Sequence, residues 1–310
     1  MAKHAEAHRP LIILNPGANR GRTSSLAATI AGICRELGSD AEIAETGGVA
    51  EATRAVQEAA REGRRPIVAC GGDGTAHAVA AALLDLSSQV PMGIVAAGSG
   101  NDYARHALRL PRELLAALRV ALFGRPTPVD AARLNDGWMI NAFGAGMDAN
   151  VAWDVRDMVE SGRARVSGDM LYTASAIKQI VRHYGLLPSL QITVDGRRIP
   201  ERRMLLAAVM IGPTAGGGYR LAPDADPRDG FLDLLLARRM PQAKAFFALP
   251  LAKAGRHTWM REVEIIRARE IRILSREPVK AHSDGELISD RSFDIRIVPG
   301  ALTVMLGDRR

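Results

Sequence analysis

Apolar residues fall in short, unbroken runs through the first part of the chain: Leu11–Leu14, Ala41–Ala44, Ile67–Cys70 and Met92–Ala96. Runs of this length suit strands buried on both faces. Between them the apolar positions return at helical spacing, from about Thr23 to Leu37, Ala50 to Arg61 and Ala76 to Leu84, and helical patterning resumes from Tyr103. Strands alternating with helices predict a parallel sheet covered on both faces. In such sheets ligands bind beyond the carboxyl ends of the strands. Asn15, Thr46, Asp73 and Asn101 all fall at such ends.

The rhythm changes near Pro126-Thr127-Pro128. Short strands then dominate: Ala131–Leu134, Trp138–Phe143, Leu190–Val194, Met204–Ile211, Phe231–Leu236, Glu262–Ala268, Glu270–Leu274 and Phe293–Val298. Asp195-Gly196 has the composition of a hairpin turn. One helical insertion is expected from about Val151 to Tyr184. The expected organisation is a doubly wound α/β domain over residues 8–128 and a mainly antiparallel β-sandwich over 129–299. A last strand, Ala301–Leu306, would return residues 300–310 to the first domain.

Composition narrows the classes. Hydrophobic residues make up 47% of the 310 positions and aromatics 4%, so aliphatic side chains fill the core. Cys34 and Cys70 sit in apolar segments and read as buried thiols of a reducing compartment. No apolar run approaches the roughly 20 residues of a membrane helix, and the polar start lacks a signal-peptide core. The expected location is the cytoplasm. The net charge of +7 allows nucleic acid, an anionic membrane surface or a phosphorylated ligand as partner. The arginines are scattered and few aromatics are present to stack on bases, which sets nucleic acid aside.

Five constellations carry chemistry. Gly71-Gly72-Asp73-Gly74-Thr75 follows a strand and opens a helix. Glycines let backbone approach a polyanion, and N–H groups at a helix start point at it. A carboxylate beside a polyphosphate needs a cation between them, a role that suits Mg²⁺. The same pattern also serves as a helix cap. Gly98-Ser99-Gly100-Asn101-Asp102 repeats this chemistry at the next strand end, with Arg105 one turn on as a phosphate contact or a surface ion pair. Asn15-Pro16 ends the first strand and offers an amide to phosphate or an Asx turn. Asp226 and Asp229, three apart between Pro223 and Gly230, suit a divalent-cation loop or an acidic turn. Asp284-Gly285-Glu286 reads as two carboxylates dividing base and metal-support roles, or as a hairpin turn. His77 and His282 are site neighbours at most, and Trp153 and Trp259 are expected to pack.

Taken in order, these loops resemble the diacylglycerol kinase catalytic-domain family, which includes bacterial diacylglycerol, sphingosine and ceramide kinases. The resemblance runs from Leu11 to about Leu306. It is carried by Asn15-Pro16, Gly71–Thr75, Gly98–Asp102 with Ala104-Arg105, Asn141 with Gly144 and Gly146, Gly216–Gly218, Ala222-Pro223, Asp229-Gly230 and Asp284–Glu286. It implies a phosphofructokinase-like sheet domain and a C-terminal β-sandwich with ATP in the cleft between them. By position, Asn15, Pro16, Thr46, Gly71, Gly72, Asp73, Gly74, Thr75, Gly98, Ser99, Asn101 and Asp102 would bind ATP. Asp73 and Asp102 would act around a catalytic Mg²⁺. Asp229, with main-chain oxygens near Asp226 and Phe231, would match a structural Mg²⁺ site. Asp284 is favoured as base with Glu286 as its metal-linked partner, and the two are interchangeable at this stage.

The acceptor implied is a lipid alcohol, diacylglycerol-like or sphingoid. The protein would touch the inner face of an anionic membrane transiently, and a homodimer is allowed. Two departures stand out. The helix after the first glycine loop reads Ala76-His77-Ala78-Val79 where the family carries a polar pair, and Ser99 replaces a threonine while keeping its hydroxyl. The rival readings are an NAD kinase and a catalytically silent lipid-binding protein on the same fold.

Overall fold

The computed structural model describes residues 9–15, 24–98, 100–163, 169–182, 184–185 and 187–307. The chain divides into two compact units, one of Met1–Asp130 with Gly300–Arg310 and one of Ala131–Pro299.

The first unit is built on four parallel strands, β1 (Leu11–Leu14), β2 (Glu42–Glu45), β3 (Ile67–Gly71) and β4 (Met92–Ala96), in the order β4-β3-β1-β2. Helices α1 (Ser24–Glu36), α2 (Val49–Arg61) and α3 (Asp73–Asp85) connect them, and α4 (Leu114–Phe123) follows. Side chains alternate across a strand. Ile12, Leu14, Val68, Cys70 and Val95 therefore share a face and pack on Ile30 and Cys34 of α1 and on Ala117, Leu118, Ala121 and Leu122 of α4. The other face is covered by α2 and α3, which also pack on each other. This double cover explains why β1, β3 and β4 are uninterrupted apolar runs. Cys34 and Cys70 are free and buried as expected, and burial pushes the Cys70 thiol up to about 12.

Two boundaries differ from the sequence reading. Helix α3 begins at Asp73 rather than Ala76, so the glycine loop is its cap and first turn. The helical pattern from Tyr103 is a π-helical turn, Tyr103–Ala107, followed by α4. Glu113 caps α4, its carboxylate accepting from Leu115 N at 2.8 Å and Ala116 N at 2.7 Å.

The second unit is mainly antiparallel. It holds β5 (Arg125–Leu134), which begins in the first unit and pairs with β6 (Gly137–Met139), then β7 (Ala142–Gly146), β8 (Ser189–Val194), β9 (Arg197–Met210), β10 (Leu232–Arg238), β11 (Val263–Ala268), β12 (Glu270–Ser283) and β13 (Glu286–Leu306). The order is β11-β10-β9-β7-β12-β13, with β8 pairing to both β9 and β12. Strands β9 and β12, 14 residues each, are long enough to serve β8 with one half and β7 with the other. Residues of the nine strands β5 to β13 fill one core, with Phe143 tilted on Phe293 at 4.9 Å between centroids.

The expected insertion at 151–184 is two helices, α5 (Met147–Glu160) and α6 (Asp169–Arg182). Helix α5 stops where Gly162 takes a left-handed φ of 69°. A further helix, α7 (Gln242–Ala254), covers the outer faces of β9 and β10 and was not legible from the apolar pattern. Its cover turns Met204–Met210 into a run buried throughout. Strands read as Phe293–Val298 and Ala301–Leu306 are one strand, β13, whose Val304 pairs with Met92 of β4. Among the described residues no helix is long and apolar enough to cross a membrane.

Candidate functional site

The carboxyl edge of the parallel sheet gathers the first set of predicted residues. Strand register places Leu14 opposite Glu45 and Cys70, and Gly71 opposite Ala96, so Asn15, Thr46, Gly72 and Ala97 sit one step beyond on a common edge. Thr46 is buried, its N–H donating to Leu14 O at 2.9 Å. Asn15 N donates to Cys70 O at 3.3 Å. Pro16 and Ser99 lie outside the described residues.

The two glycine loops touch. A Cβ on Gly98 would fall 2.4 Å from Gly72 Cα, so this approach admits only glycine. Asn101 shapes the second loop from within. Its Oδ1 accepts from Gly98 N at 3.1 Å, its Nδ2 donates to Gly98 O at 2.5 Å, and its φ is 59°. Asp73 then bridges the loops, Oδ2 accepting from Asn101 N at 2.7 Å and Oδ1 from Tyr103 N at 3.3 Å. Burial first, and then the charge of Asp102, push the Asp73 carboxyl up to about 6 against the pull of these amides. Asp73, Asn101, Asp102 and Tyr103 thus form one group, with Asp102 and Tyr103 buried. Arg105, on the next turn, keeps its Nε buried without a hydrogen-bond partner. Gly74 is exposed and Thr75 buried at the start of α3.

Asp284 and Glu286 belong to the second unit. Asp284 and Gly285, with φ of 49° and 88°, form the two-residue turn between β12 and β13, where Ser283 pairs with Glu286. The hairpin alternative named above is therefore real, and the carboxylate has a further task. Asp284 Oδ2 accepts from Ile140 N at 2.7 Å, and Oδ1 accepts from Asn141 N at 3.0 Å and Ala142 N at 2.9 Å. These three amides hold the buried carboxylate in one orientation at the turn. Glu286 is exposed.

The acidic loop assembles differently from a cation site. Asp229 Oδ1 accepts from Phe231 N at 3.0 Å while Oδ2 is taken by Arg267 Nη2, and Asp226 pairs with Arg228 at 3.3 Å. Arg267 and Arg269 lie over the Phe231 ring. A guanidinium already neutralises the loop, so the donors as arranged do not fit a metal ion. Asp233, buried behind it, is lifted to about 6 by burial first and then by Asp229 and Asp224 against Arg267. Among the described residues no group of three or more His, Cys, Asp or Glu is placed to hold a metal.

One pair was missed. His282 Nε2 lies 3.1 Å from Asp148 Oδ2, at the start of α5, and a Cβ on Gly144 would collide with both side chains. Burial opposes charge on His282, yet the hydrogen bond to Asp148, the Asp148 charge and the Asp284 charge together raise its pKa. The signal available in the sequence was the Gly144-x-Gly146-x-Asp148 spacing beside a lone histidine. Trp153 packs as expected, its Nε1 donating to Ala281 O at 3.3 Å. Trp259 does not: it is 82% exposed, on a 3-10 turn (His257–Trp259) that buries His257 instead.

Comparison with known proteins covers both units. The family model of the diacylglycerol kinase catalytic domain matches residues 9–134, and that of the YegS C-terminal NAD kinase beta sandwich-like domain matches residues 141–306. The chain is 28% identical over 284 residues to the diacylglycerol kinase of Bacillus subtilis (strain 168), covering 90% of this chain and 89% of that protein. It is 27% identical over 305 residues to a Klebsiella pneumoniae (strain 342) protein named "Probable lipid kinase YegS-like", covering 96% and 95%. A crystal structure of a diacylglycerol kinase from Bacillus anthracis str. Sterne superposes with a TM-score of 0.72 at 20% identity, covering 97% of each chain. An NAD kinase from Archaeoglobus fulgidus in complex with ATP gives a TM-score of 0.52 at 13% identity, over 97% of this chain and 94% of the other. These two structures speak to the fold alone.

Proposed function

The chain belongs to the family that joins a diacylglycerol kinase catalytic domain to a YegS C-terminal beta sandwich-like domain and is a kinase, and from that premise we propose that it transfers the γ-phosphoryl group of ATP to the hydroxyl of a lipid alcohol. The observation that carries this reading is the Asp73 group. Two carboxylates stand at adjacent strand ends, beside touching glycine loops, and burial first and their mutual repulsion second lift the Asp73 pKa to about 6.

That repulsion is what a divalent cation relieves. Mg²⁺ is commonly held by one or two carboxylates together with substrate phosphates, so Asp73 and Asp102 fit the ion and would hold it. When bound, it would neutralise charge on the phosphates. The acidic loop at Asp226, Asp229 and Phe231 takes no part in this proposal, because its carboxylates are engaged by arginines.

The chain's own groups do the rest. The close approach of Gly72 and Gly98 sets the two glycine loops side by side, and this pair of loops is assigned to the phosphates. Asn15, Thr46 and Thr75 line the same edge as nucleotide contacts. Asp284 is assigned the acceptor proton, which requires the hydroxyl within about 3 Å or one intervening water. Glu286, exposed beside it, is assigned a supporting charge. The acceptor is of the diacylglycerol or sphingoid class, the first supported by relatives named diacylglycerol kinase.

Incubation with ATP labelled on its γ-phosphate, against a panel of lipid alcohols and with NAD as control acceptor, tests the reading. Label is expected in the organic extract and only with divalent ion. Label in NAD, or in nothing, would sink it.

Arg105 supplies a second check. A guanidinium with an unmet buried donor is suited to a phosphate oxygen, and a charge-assisted bond of this kind contributes about 1.5–3 kcal/mol. Arg105→Ala is therefore expected to raise the Michaelis constant for ATP by about tenfold or more while the lipid constant stays near the wild-type value. An unchanged ATP constant would remove Arg105 from the nucleotide site.

A further inference from the structure

Helices α6 and α7 each carry a second apolar stripe that none of the described residues of their unit covers. On α6 the inward stripe is Leu171, Ala176 and Ile180, all buried. The outward stripe is Met170, Ala174, Ile177 and Val181, with Met170 67% and Val181 57% exposed. On α7 the outward positions are Ala243, Phe246, Phe247, Pro250 and Ala254, with Phe247 73% exposed. Both stripes follow helical spacing of three and four residues. The helices are tied side by side, Gln242 Nε2 donating to Ile180 O at 2.6 Å. Trp259, on the 3-10 turn that packs against α7, extends the same exposed apolar set.

Asp169 opens α6, and beyond it the charged residues of both helices are basic. From Met170 to Arg182, and throughout α7, no acidic residue occurs. Lys178, Lys244 and Lys253 are engaged by Asp154, Glu262 and Gly217 O. Arg182, Arg239, Arg256 and Arg261 are exposed. An apolar face with aromatic residues and arginines at its margin matches a surface that lies in a bilayer interface, where Trp is enriched and arginine meets anionic headgroups. A second copy on the same face would bring these arginines against one another.

We propose that Met170, Ile177, Val181, Phe246, Phe247 and Trp259 form a docking surface for an anionic lipid bilayer, entering its interfacial layer while the flanking arginines bind the headgroups. The surface deepens the lipid-kinase reading, since a lipid acceptor resides in a membrane.

The test is co-sedimentation, without nucleotide, with vesicles of phosphatidylcholine alone and of phosphatidylcholine mixed equally with phosphatidylglycerol. Phosphoryl transfer to a detergent-dispersed acceptor is measured separately, so the two readings fail separately. The wild type is expected to bind the mixed vesicles, to prefer them to phosphatidylcholine, and to be partly released by high salt. Phe247→Asp and Trp259→Ala are each expected to weaken partitioning by about tenfold or more. Both are expected to keep the wild-type circular dichroism and detergent-phase activity, with the alanine variant as the arbiter if the aspartate variant misfolds. Absence of vesicle binding by the wild type, or binding unchanged in both variants, would overturn the proposal. So would light scattering that finds a wild-type dimer which Phe247→Asp converts to a monomer, because the face would then be an interface between copies.

Discussion

Asp73→Asn is expected to lower kcat/KM for phosphoryl transfer by about 10³-fold or more and to flatten the fall of stability with rising pH, while its NH₂ leaves one of the amides now bonded to Asp73 without an acceptor. The first half follows from the proposed role. Electrostatic positioning supplies most of the catalysis in phosphoryl transfer, and loss of one aimed group commonly costs two to three orders of magnitude. The second half follows from the raised pKa. The unfolded carboxyl titrates near 3.8 and the folded one near 6, because of burial first and Asp102 second. The folded state therefore holds this proton more tightly, and ionisation burdens it. The contribution is fully favourable below about 4, declines as pH climbs, and beyond about 6 has cost roughly 2–3 kcal/mol. Asparagine does not titrate, so its share of that decline should vanish. Asp233, also lifted to about 6, leaves a residual slope of the same sign in both proteins. Urea unfolding between pH 4 and 7 reads the difference. Equal slopes in the two proteins, or turnover retained in the variant, would contradict the assignment.

Asp284→Ala is expected to abolish turnover and also to destabilise the second unit by about 3 kcal/mol or more. A base serving chemistry alone would lose activity with its fold intact. The hydrogen bonding changes that expectation, since truncation orphans the N–H groups of Ile140, Asn141 and Ala142 at once. Each buried donor without a partner costs about 1–3 kcal/mol. Asparagine does not rescue it, because its NH₂ would face amides that need an acceptor. Loss of activity at Asp284 is then ambiguous by itself. Glu286→Gln, on an exposed side chain, should leave the melting temperature unchanged and so reports on chemistry alone. A normal melting curve for Asp284→Ala would show that the three amides find other partners.

The parallel half of the molecule was readable because local pattern and fold agree there. Double cover by helices demands uninterrupted apolar strands, and Leu11–Leu14, Ile67–Gly71 and Met92–Ala96 supply them. Glycine loops at strand ends likewise announced the Asp73 group, since the close approach of Gly72 to Gly98 is encoded in the residues that make it. Helix α7 escaped because Pro250 interrupts it and apolar residues surround it, which erases the one-sided periodicity that marks a helix. The break between α5 and α6 was signalled by Ser161-Gly162, a helix stop that the longer apolar pattern obscured. Long-range partners were not legible. Asp284 meets amides more than 140 residues away through the pairing of β12 with β7, and Asp229 meets an arginine 38 residues on. An acidic tract looks the same in sequence whether a metal or a guanidinium closes it.

Strand β13 has a consequence for biogenesis. Its last residues, among them the buried Leu302, Val304 and Met305, complete the parallel sheet that starts at Leu11. The nascent N-terminal sheet must therefore wait, with β4 open along one side, until the ribosome has delivered nearly all of the intervening polypeptide. Premature termination at Pro299 would release a product whose second unit has its full sequence and whose first presents an unpaired strand to every neighbour.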